Sequence, residues 1–107
     1  MNAATAIGAP RFALGQVVAT PGALELLEQF GINASDLPRR HQRGDWGDLD
    51  AEDQRLNDDA LSDGSRLLSS YRLDPARDSS ECVWIITEAC DDDGRRQHTT
   101  ILRPEDY

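Results

Sequence analysis

The sequence contains no lysine, and all eleven of its basic residues are arginines. The chain therefore has no side-chain amine for a Schiff base, and its cations are planar guanidinium groups suited to bidentate pairing. Eleven cations stand against twenty carboxylates, which leaves a formal net charge of −9 on 107 residues. Phosphate backbones and anionic membranes repel such a chain, so direct nucleic-acid binding is not expected. The charge favours a protein partner with a basic surface, although acidity can also serve solubility alone.

Cysteine is also scarce, with Cys82 and Cys90 the only two. They lie at opposite ends of a predicted strand, which places them more than about 20 Å apart and excludes a disulfide between them. Free thiols indicate a reducing cytoplasm, and without C-x-x-C spacing they predict no zinc site. Hydrophobic runs fall far short of the ~20 residues of a membrane span, and no signal peptide is visible. We therefore expect a cytoplasmic protein that needs no cofactor and contacts no membrane.

Three common enzyme signatures are missing as well. The sequence has no G-x-S-x-G nucleophile motif, no P-loop and no dinucleotide-binding fingerprint. Asp45, Asp48 and Asp50 lack the alternating ligands, central glycine and distal glutamate of a calcium-binding EF-hand loop. We predict no metal site, so any catalysis would depend on ordinary side chains.

The length suits a single domain with one modest core. We expect residues 1–13 to form a flexible N-terminus and residues 14–107 to form one α+β domain. Thr20 is the predicted N-cap of a first helix, Ser35 of a second and Asp50 of a third. Each helix is followed by a glycine, which favours the left-handed backbone that ends a helix; these are Gly31, Gly44 and Gly64.

Alternating patterns at residues 66–73, 81–89 and 97–103 predict an antiparallel meander, which a short strand at residues 16–19 would extend to four strands. Asp93-Gly94 suits a type I′ turn between the last two strands. That turn sets Thr87 opposite Thr100, Ile85 opposite Leu102 and Glu88 opposite Thr99. The predicted fold is α+β, with two to three N-terminal helices packed on a three- to four-stranded antiparallel sheet.

The segment between the second and third helices holds a histidine and a tryptophan. His41 falls in the last helical turn, where the helix dipole favours imidazolium and should raise its pKa. It is either a general acid/base or a helix-end histidine bonded to Asp45 or to a backbone carbonyl. Trp46 is either a core anchor, with Trp84 as a candidate neighbour, or a stacking platform for a ligand.

Carboxylates are concentrated around the third helix and in the last turn. They either form an ordinary solvated face or offer a negative surface to a protein partner. The predicted partner-binding residues are Asp45, Asp48, Asp50, Glu52, Asp53, Asp58, Asp59, Asp63, Asp91, Asp92 and Asp93.

A second hypothesis uses polar residues of the strands. A metal-independent ribonuclease needs a base for the 2′-OH proton, a cation for the phosphorane and hydroxyls to orient the phosphate. Convergence of these residues in a cleft would favour an enzyme, whereas their separation beside a continuous carboxylate face would favour a binding protein. The candidate catalytic residues are His41, Arg66, Ser70, Tyr71, Thr87 and Thr100.

Several motifs are spread along the chain, namely VVATPGAL at residues 17–24, GDWGD at 44–48, GSRLLS at 64–69, WIITE at 84–88, and TTIL with PEDY at 99–107. Together they resemble a family of small bacterial proteins that occurs on plasmids and integrated elements. The resemblance covers about residues 14–107 and departs from the family pattern between Glu88 and Thr99, where this chain has a longer acidic hairpin. It implies an accessory protein of mobile genetic elements.

The order of helices before an antiparallel sheet also resembles, by analogy only, the barnase–EndoU–colicin–RelE-like ribonucleases. The sequence thus supports two functions. The first is an acidic accessory protein that binds a protein partner, as a nucleic-acid mimic or counter-defence inhibitor. The alternative is a metal-independent ribonuclease or toxin. The sequence leaves the oligomeric state open.

Overall fold

The computed structural model describes residues 9–74 and 81–107, and within them it has the predicted α+β class. The strands of the described chain are β1 (Gln16–Ala19), β2 (Leu67–Arg72), β3 (Cys82–Thr87) and β4 (His98–Leu102). Its helices are α1 (Pro21–Gln29), α2 (Asp36–Gln42) and α3 (Ala51–Asp63), with a 3-10 turn at Pro104–Asp106. None of these helices is long and apolar enough to span a membrane.

Helix boundaries follow the capping chemistry of the sequence at two of three sites. The Thr20 hydroxyl accepts a hydrogen bond from the Ala23 N–H at 3.2 Å, and the Asp50 carboxylate accepts one from the Asp53 N–H at 2.8 Å. Gly64 ends α3 in the left-handed conformation with φ 80°. Ser35 occupies the N-cap position of α2 but makes no side-chain cap, because its hydroxyl donates to Asn33 Oδ1 instead.

The sheet has the order β1-β4-β3-β2. β2, β3 and β4 form the predicted antiparallel meander, but β1 pairs with β4 in parallel, so the expectation of a wholly antiparallel sheet is wrong. A short hairpin loop forces antiparallel pairing only on the two consecutive strands that it joins, and β1 and β4 are not consecutive. Three helices separate β1 from the meander, and that connection is long enough for the chain to cross the sheet.

The predicted register between β3 and β4 is wrong by one residue. Thr87 lies opposite Thr99 and Ile85 opposite Ile101. The turn at Asp91–Gly94 exists, but no described residue other than glycine has positive φ, which excludes the type I′ turn at Asp93-Gly94. A ten-residue connection between the strands replaces the two-residue hairpin that the prediction assumed. Because side chains alternate, a slip of one residue exchanges the two faces of a strand.

The core lies between the helices and one face of the sheet. Its larger part is built around Leu27, Tyr71 and Ile85, and a smaller cluster holds Trp46 with Ala60 and Leu67. Trp46 is therefore a core anchor, which was one of its two predicted roles, and not an exposed stacking platform. It does not pack near Trp84, whose side chain contacts the Tyr107 ring on the opposite sheet face at a centroid distance of 5.8 Å.

The chain after α2 also covers the outer edge of β2. The Asp48 N–H donates to Ser70 O at 2.7 Å, and the Ser70 N–H donates to Trp46 O at 3.3 Å. The Arg72 N–H donates to the Asp48 carboxylate at 2.6 Å. This edge cover, residues 46–48, satisfies backbone groups that an open edge would leave unpaired.

The predicted flexible terminus is described only from residue 9, and residues 1–8 lie outside the described part. The Arg11 N–H donates to Gln42 O at 2.8 Å, and the Phe12 ring stacks on Trp46 with a centroid distance of 6.2 Å. These two residues therefore contact the domain directly.

Candidate functional site

His41 lies in the last turn of α2 with its side chain turned into the core, and none of its surface is exposed. Its imidazole meets the rings of Phe12 and Trp46 edge-on, at centroid distances of 5.2 and 5.6 Å. The predicted bond to Asp45 does not form, because the Asp45 carboxylate pairs instead with the Arg40 guanidinium at 2.7 Å.

Both ring nitrogens of His41 are hydrogen-bonded to hydroxyls of the sheet. Nδ1 lies 2.6 Å from Ser69 Oγ, and Nε2 lies 2.9 Å from Thr87 Oγ1. Thr87 Oγ1 in turn lies 2.7 Å from Thr99 Oγ1, which donates to the Leu14 carbonyl at 2.7 Å. We call these four side chains, His41, Ser69, Thr87 and Thr99, the histidine network.

For a neutral ring, the hydrogen-bond partners assign the protons of the network. A hydroxyl donates only one hydrogen, and Thr99 uses its own on the Leu14 carbonyl. Thr87 therefore donates to Thr99 and accepts from the Nε2–H of His41. Nδ1 is then the unprotonated nitrogen and accepts from the Ser69 hydroxyl. His41 is a neutral imidazole in the Nε2–H tautomer.

The pKa of His41 falls from its ordinary 6.5 to about 4, so the predicted rise is wrong. Burial is the larger cause, since it disfavours the charged ring, and the nearby charge of Arg96 is the second. The prediction that the helix dipole raises the pKa assumed an exposed side chain, whereas the His41 ring is enclosed. Arg96 is itself buried, and its guanidinium donates to the carbonyls of Ala60, Ser65 and Glu88 at 2.7 to 3.0 Å.

The six candidate catalytic residues do not converge. His41 contacts Thr87, and Tyr71 shares the inner sheet face, but the Tyr71 hydroxyl donates to the Asp45 carbonyl at 2.5 Å. Ser70 and Thr100 point to the opposite face. Arg66 is exposed, and its guanidinium donates to the Tyr107 hydroxyl at 2.9 Å.

The predicted catalytic set omits Ser69, Thr99 and Arg96, three polar residues that bond to His41, extend its network or shift its pKa. Ser69 and Thr99 are sequence neighbours of the predicted Ser70 and Thr100, and the inner-face pattern of Leu67 and Tyr71 places Ser69 beside them. A base must reach the proton that it removes. The imidazole of His41 is enclosed, and both its nitrogens are occupied by the network.

The eleven predicted partner-binding carboxylates are all exposed. Asp45 is the one that forms an ion pair within the described ranges, with Arg40. Asp48, Asp50 and Asp91 accept backbone N–H groups, and Asp58 accepts the Trp46 indole N–H at 3.0 Å.

These carboxylates lie along α3 and at both of its ends. The chain that leads from Asp45 to Asp50 enters the N-terminal end of the helix. At the other end the Cys90 N–H donates to Gly64 O at 2.8 Å, and Arg96 binds the Ala60 and Ser65 carbonyls. These bonds hold the Asp91–Asp93 turn beside the C-terminus of α3. We call the whole set of eleven carboxylates the acidic strip.

The outer face of α3 carries a line of side chains with helical spacing. Glu52, Leu56, Asp59 and Asp63 follow one another at intervals of three or four residues, and all four are exposed, whereas Asn57 and Ala60 are buried. Leu56 is 57% exposed between the acids. An exposed leucine flanked by carboxylates gives this face both an apolar and a negative component.

Over residues 9–74 and 81–107, no three histidine, cysteine, aspartate or glutamate side chains are grouped closely enough to hold a metal ion. Comparisons of the chain with family models, with curated proteins and with solved structures find no match.

Proposed function

We propose that this chain is a small, cytoplasmic, acidic accessory protein of mobile genetic elements, and that it binds the basic groove of a partner protein. The observation that carries the proposal is the exposure and placement of the acidic strip: eleven carboxylates lie along one helix and at its two ends, and among the described residues one of them, Asp45, forms an ion pair. A partner that normally grips nucleic acid has the complementary surface.

The charge spacing along α3 supports nucleic-acid mimicry. Residues 50–63 contain six carboxylates and one arginine. At about 1.5 Å per residue this segment is roughly 21 Å long, so it carries one net negative charge per ~4 Å. One nucleic-acid strand of a duplex carries one charge per ~3.4 Å. A groove built for a phosphate backbone would therefore meet a similar line of negative charge.

The helix at the centre of the strip is anchored at both ends and in its middle, and such preorganisation lowers the entropy that binding would cost. Asp50 and Gly64 cap the two ends of α3. In its middle the Asn57 amide bonds both the N–H and the carbonyl of Leu68. The helix is thereby tied to β2 before any partner arrives.

The ribonuclease alternative receives less support. Its base is enclosed in the histidine network, and its cation and two of its hydroxyls lie elsewhere. If His41→Gln abolished RNA cleavage by a protein that remained folded, this alternative would replace the binding proposal.

A variant in which three carboxylates are replaced by uncharged amides tests the binding proposal. Glu52→Gln, Asp59→Asn and Asp63→Asn together remove three charges from the outer face of α3 and keep the side-chain shapes. The matched control is Glu25→Gln, Glu28→Gln and Asp36→Asn, which removes three exposed charges from α1 and α2. Roughly 0.5 kcal/mol per exposed charge pair predicts an affinity loss of about tenfold for the first variant alone.

The partner would be captured from bacterial lysate on immobilised wild-type protein, identified by mass spectrometry and then titrated in pure form. We expect its affinity to fall as salt rises, and competing duplex DNA to displace this protein from it. Equal binding by both triple variants, or an affinity indifferent to salt, would refute the proposal.

A further inference from the structure

The two edges of the sheet are treated differently. The edge cover, residues 46–48, pairs with the outer edge of β2. On β1, the N–H groups of Gln16 and Thr20 donate inward to Gln97 O and Ile101 O, both at 2.9 Å. Because backbone groups alternate along a strand, those of Val17 and Ala19 point outward. No described residue pairs with that outer edge.

The open edge lies in a long stretch without charge. No residue between Phe12 and Leu24 is charged, although 29% of the chain is. Val17 and Val18 are 44% and 41% exposed. A groove of about 460 Å³ runs beside the strand, between Val17 and Ile101 on the sheet and Pro38 on α2. Edge strands are usually protected by charge, proline or a covering segment. β1 contains neither charge nor proline, and no segment within residues 9–74 and 81–107 pairs with its outer edge.

We propose that β1 pairs antiparallel with β1 of a second copy of this chain, which gives a two-fold dimer with a continuous eight-stranded sheet. The charge distribution selects this partner. Two copies that each carry −9 repel one another at most contacts. At β1 they meet through strands that carry no charged residue, and Arg39 is the charged side chain that lines the groove beside the strand. A basic partner would find no carboxylate there and is drawn to the acidic strip instead.

The second argument is that pairing through β1 leaves no free sheet edge, so the assembly is finite. With the β2 edge covered, the described sheet of each copy has one free edge, so pairing through β1 uses both free edges and ends at two copies. The acidic strip stays accessible, because α3 packs against β2 at the far side of the sheet from β1.

One register uses the outward backbone groups of both Val17 and Ala19 in each copy. Val17 and Ala19 of the partner subunit exchange two backbone hydrogen bonds, and symmetry repeats them. Val18 then faces Val18 of the partner subunit across the two-fold axis, as a non-hydrogen-bonded pair with Cα atoms about 4.5 Å apart. That distance lies within disulfide range, whereas the two copies of Val17 are diagonal neighbours and lie outside it.

Disulfide trapping tests the register. In a background in which Cys82→Ser and Cys90→Ser remove the native thiols, Val18→Cys should form a covalent dimer on mild oxidation. Val17→Cys is the matched control and should cross-link at least tenfold more slowly. Equal cross-linking at the two positions, or none at either, would overturn the proposal.

Sedimentation tests the dimer in solution. The wild-type protein should sediment at twice the chain mass, and Val18→Arg should weaken association at least tenfold by placing two guanidinium groups opposite each other. Leu24→Arg adds the same charge at an equally exposed site and should leave the dimer intact. A wild-type monomer at every concentration, or a dimer that persists in Val18→Arg, would refute the pairing.

The salt dependence of association distinguishes the β1 dimer from the binding of a basic partner. Screening reduces the repulsion between two acidic copies, so the dimer should strengthen as salt rises, whereas binding of a basic partner should weaken. A dimer that dissociates in high salt would show that charged surfaces, rather than β1, hold it together. Each proposal can therefore fail without the other.

Discussion

Acid should destabilise this protein through one buried ring. At neutral pH, His41 is uncharged in both the folded and the unfolded chain and contributes no pH dependence. As the pH falls below 6.5 the unfolded chain takes up a proton, but the folded chain does not until the pH reaches about 4. Stability that is complete above pH 6.5 is therefore lost progressively down to about pH 4 and then levels off. One pKa unit corresponds to about 1.4 kcal/mol, so the loss amounts to about 3 kcal/mol.

Such a loss is a large fraction of the 5–15 kcal/mol that typically stabilises a domain. We would measure the free energy of unfolding in urea, by tryptophan fluorescence, at several values from about pH 7 to pH 4. The variants are His41→Gln and the matched control His98→Gln, which changes the only other histidine. Carboxylates titrate alike in all three proteins, so their contribution cancels in the comparison.

We expect the wild type and His98→Gln to lose stability in parallel, and the His41→Gln curve to lack the additional loss of about 3 kcal/mol. Nitrogen NMR of the imidazole should show protonated Nε2 and bare Nδ1. A His41→Gln curve parallel to the wild type, or a proton on Nδ1, would refute the proton assignment and the argument built on it.

Three further substitutions have expected effects. Arg96→Met leaves three carbonyls, one buried and two partly buried, without their donor and should lower the unfolding free energy by about 3 kcal/mol in urea, more than Arg95→Met at an exposed neighbour. Asp50→Ala removes the N-cap of α3 and should cost about 1 kcal/mol in thermal unfolding, whereas Asp59→Ala should cost little. Gly47→Ala places a methyl group against the Ser70 carbonyl and should accelerate hydrogen exchange at Ser70; Gly31→Ala, at a similar φ but in open space, should not. Equal effects of a variant and its control would contradict the corresponding contact.

The helices were predictable because their signals are local. Thr20, Asp50 and Gly64 act within one turn of the chain, and a backbone N–H needs its cap whatever the rest of the fold does. The inner face of β2 was predictable for a similar reason, since the alternation of Leu67, Ser69 and Tyr71 is visible in the sequence.

The candidate site depended on distant contacts. The register of β4 is set by a long connection anchored through Cys90 and Arg96, and no short turn motif encodes it. A slip of one residue was enough to replace Thr99 by Thr100 in the predicted set. The enclosure of His41 depends on Phe12, which lies 29 positions earlier in the chain. Periodicity within a single element carries no information about such contacts.

The edge cover also decides how many copies can join. In the proposed dimer, residues 46–48 hold the β2 edge, so the described sheet of each molecule has one position at which a strand can be added and assembly stops at a pair. Release of the cover adds a second position on the opposite side of the sheet, and a molecule with two such positions joins a chain of unlimited length. Trp46 packs against the His41 ring. Protonation that expels His41 from the core would therefore loosen the cover, and we expect acid to convert a finite assembly into a growing one.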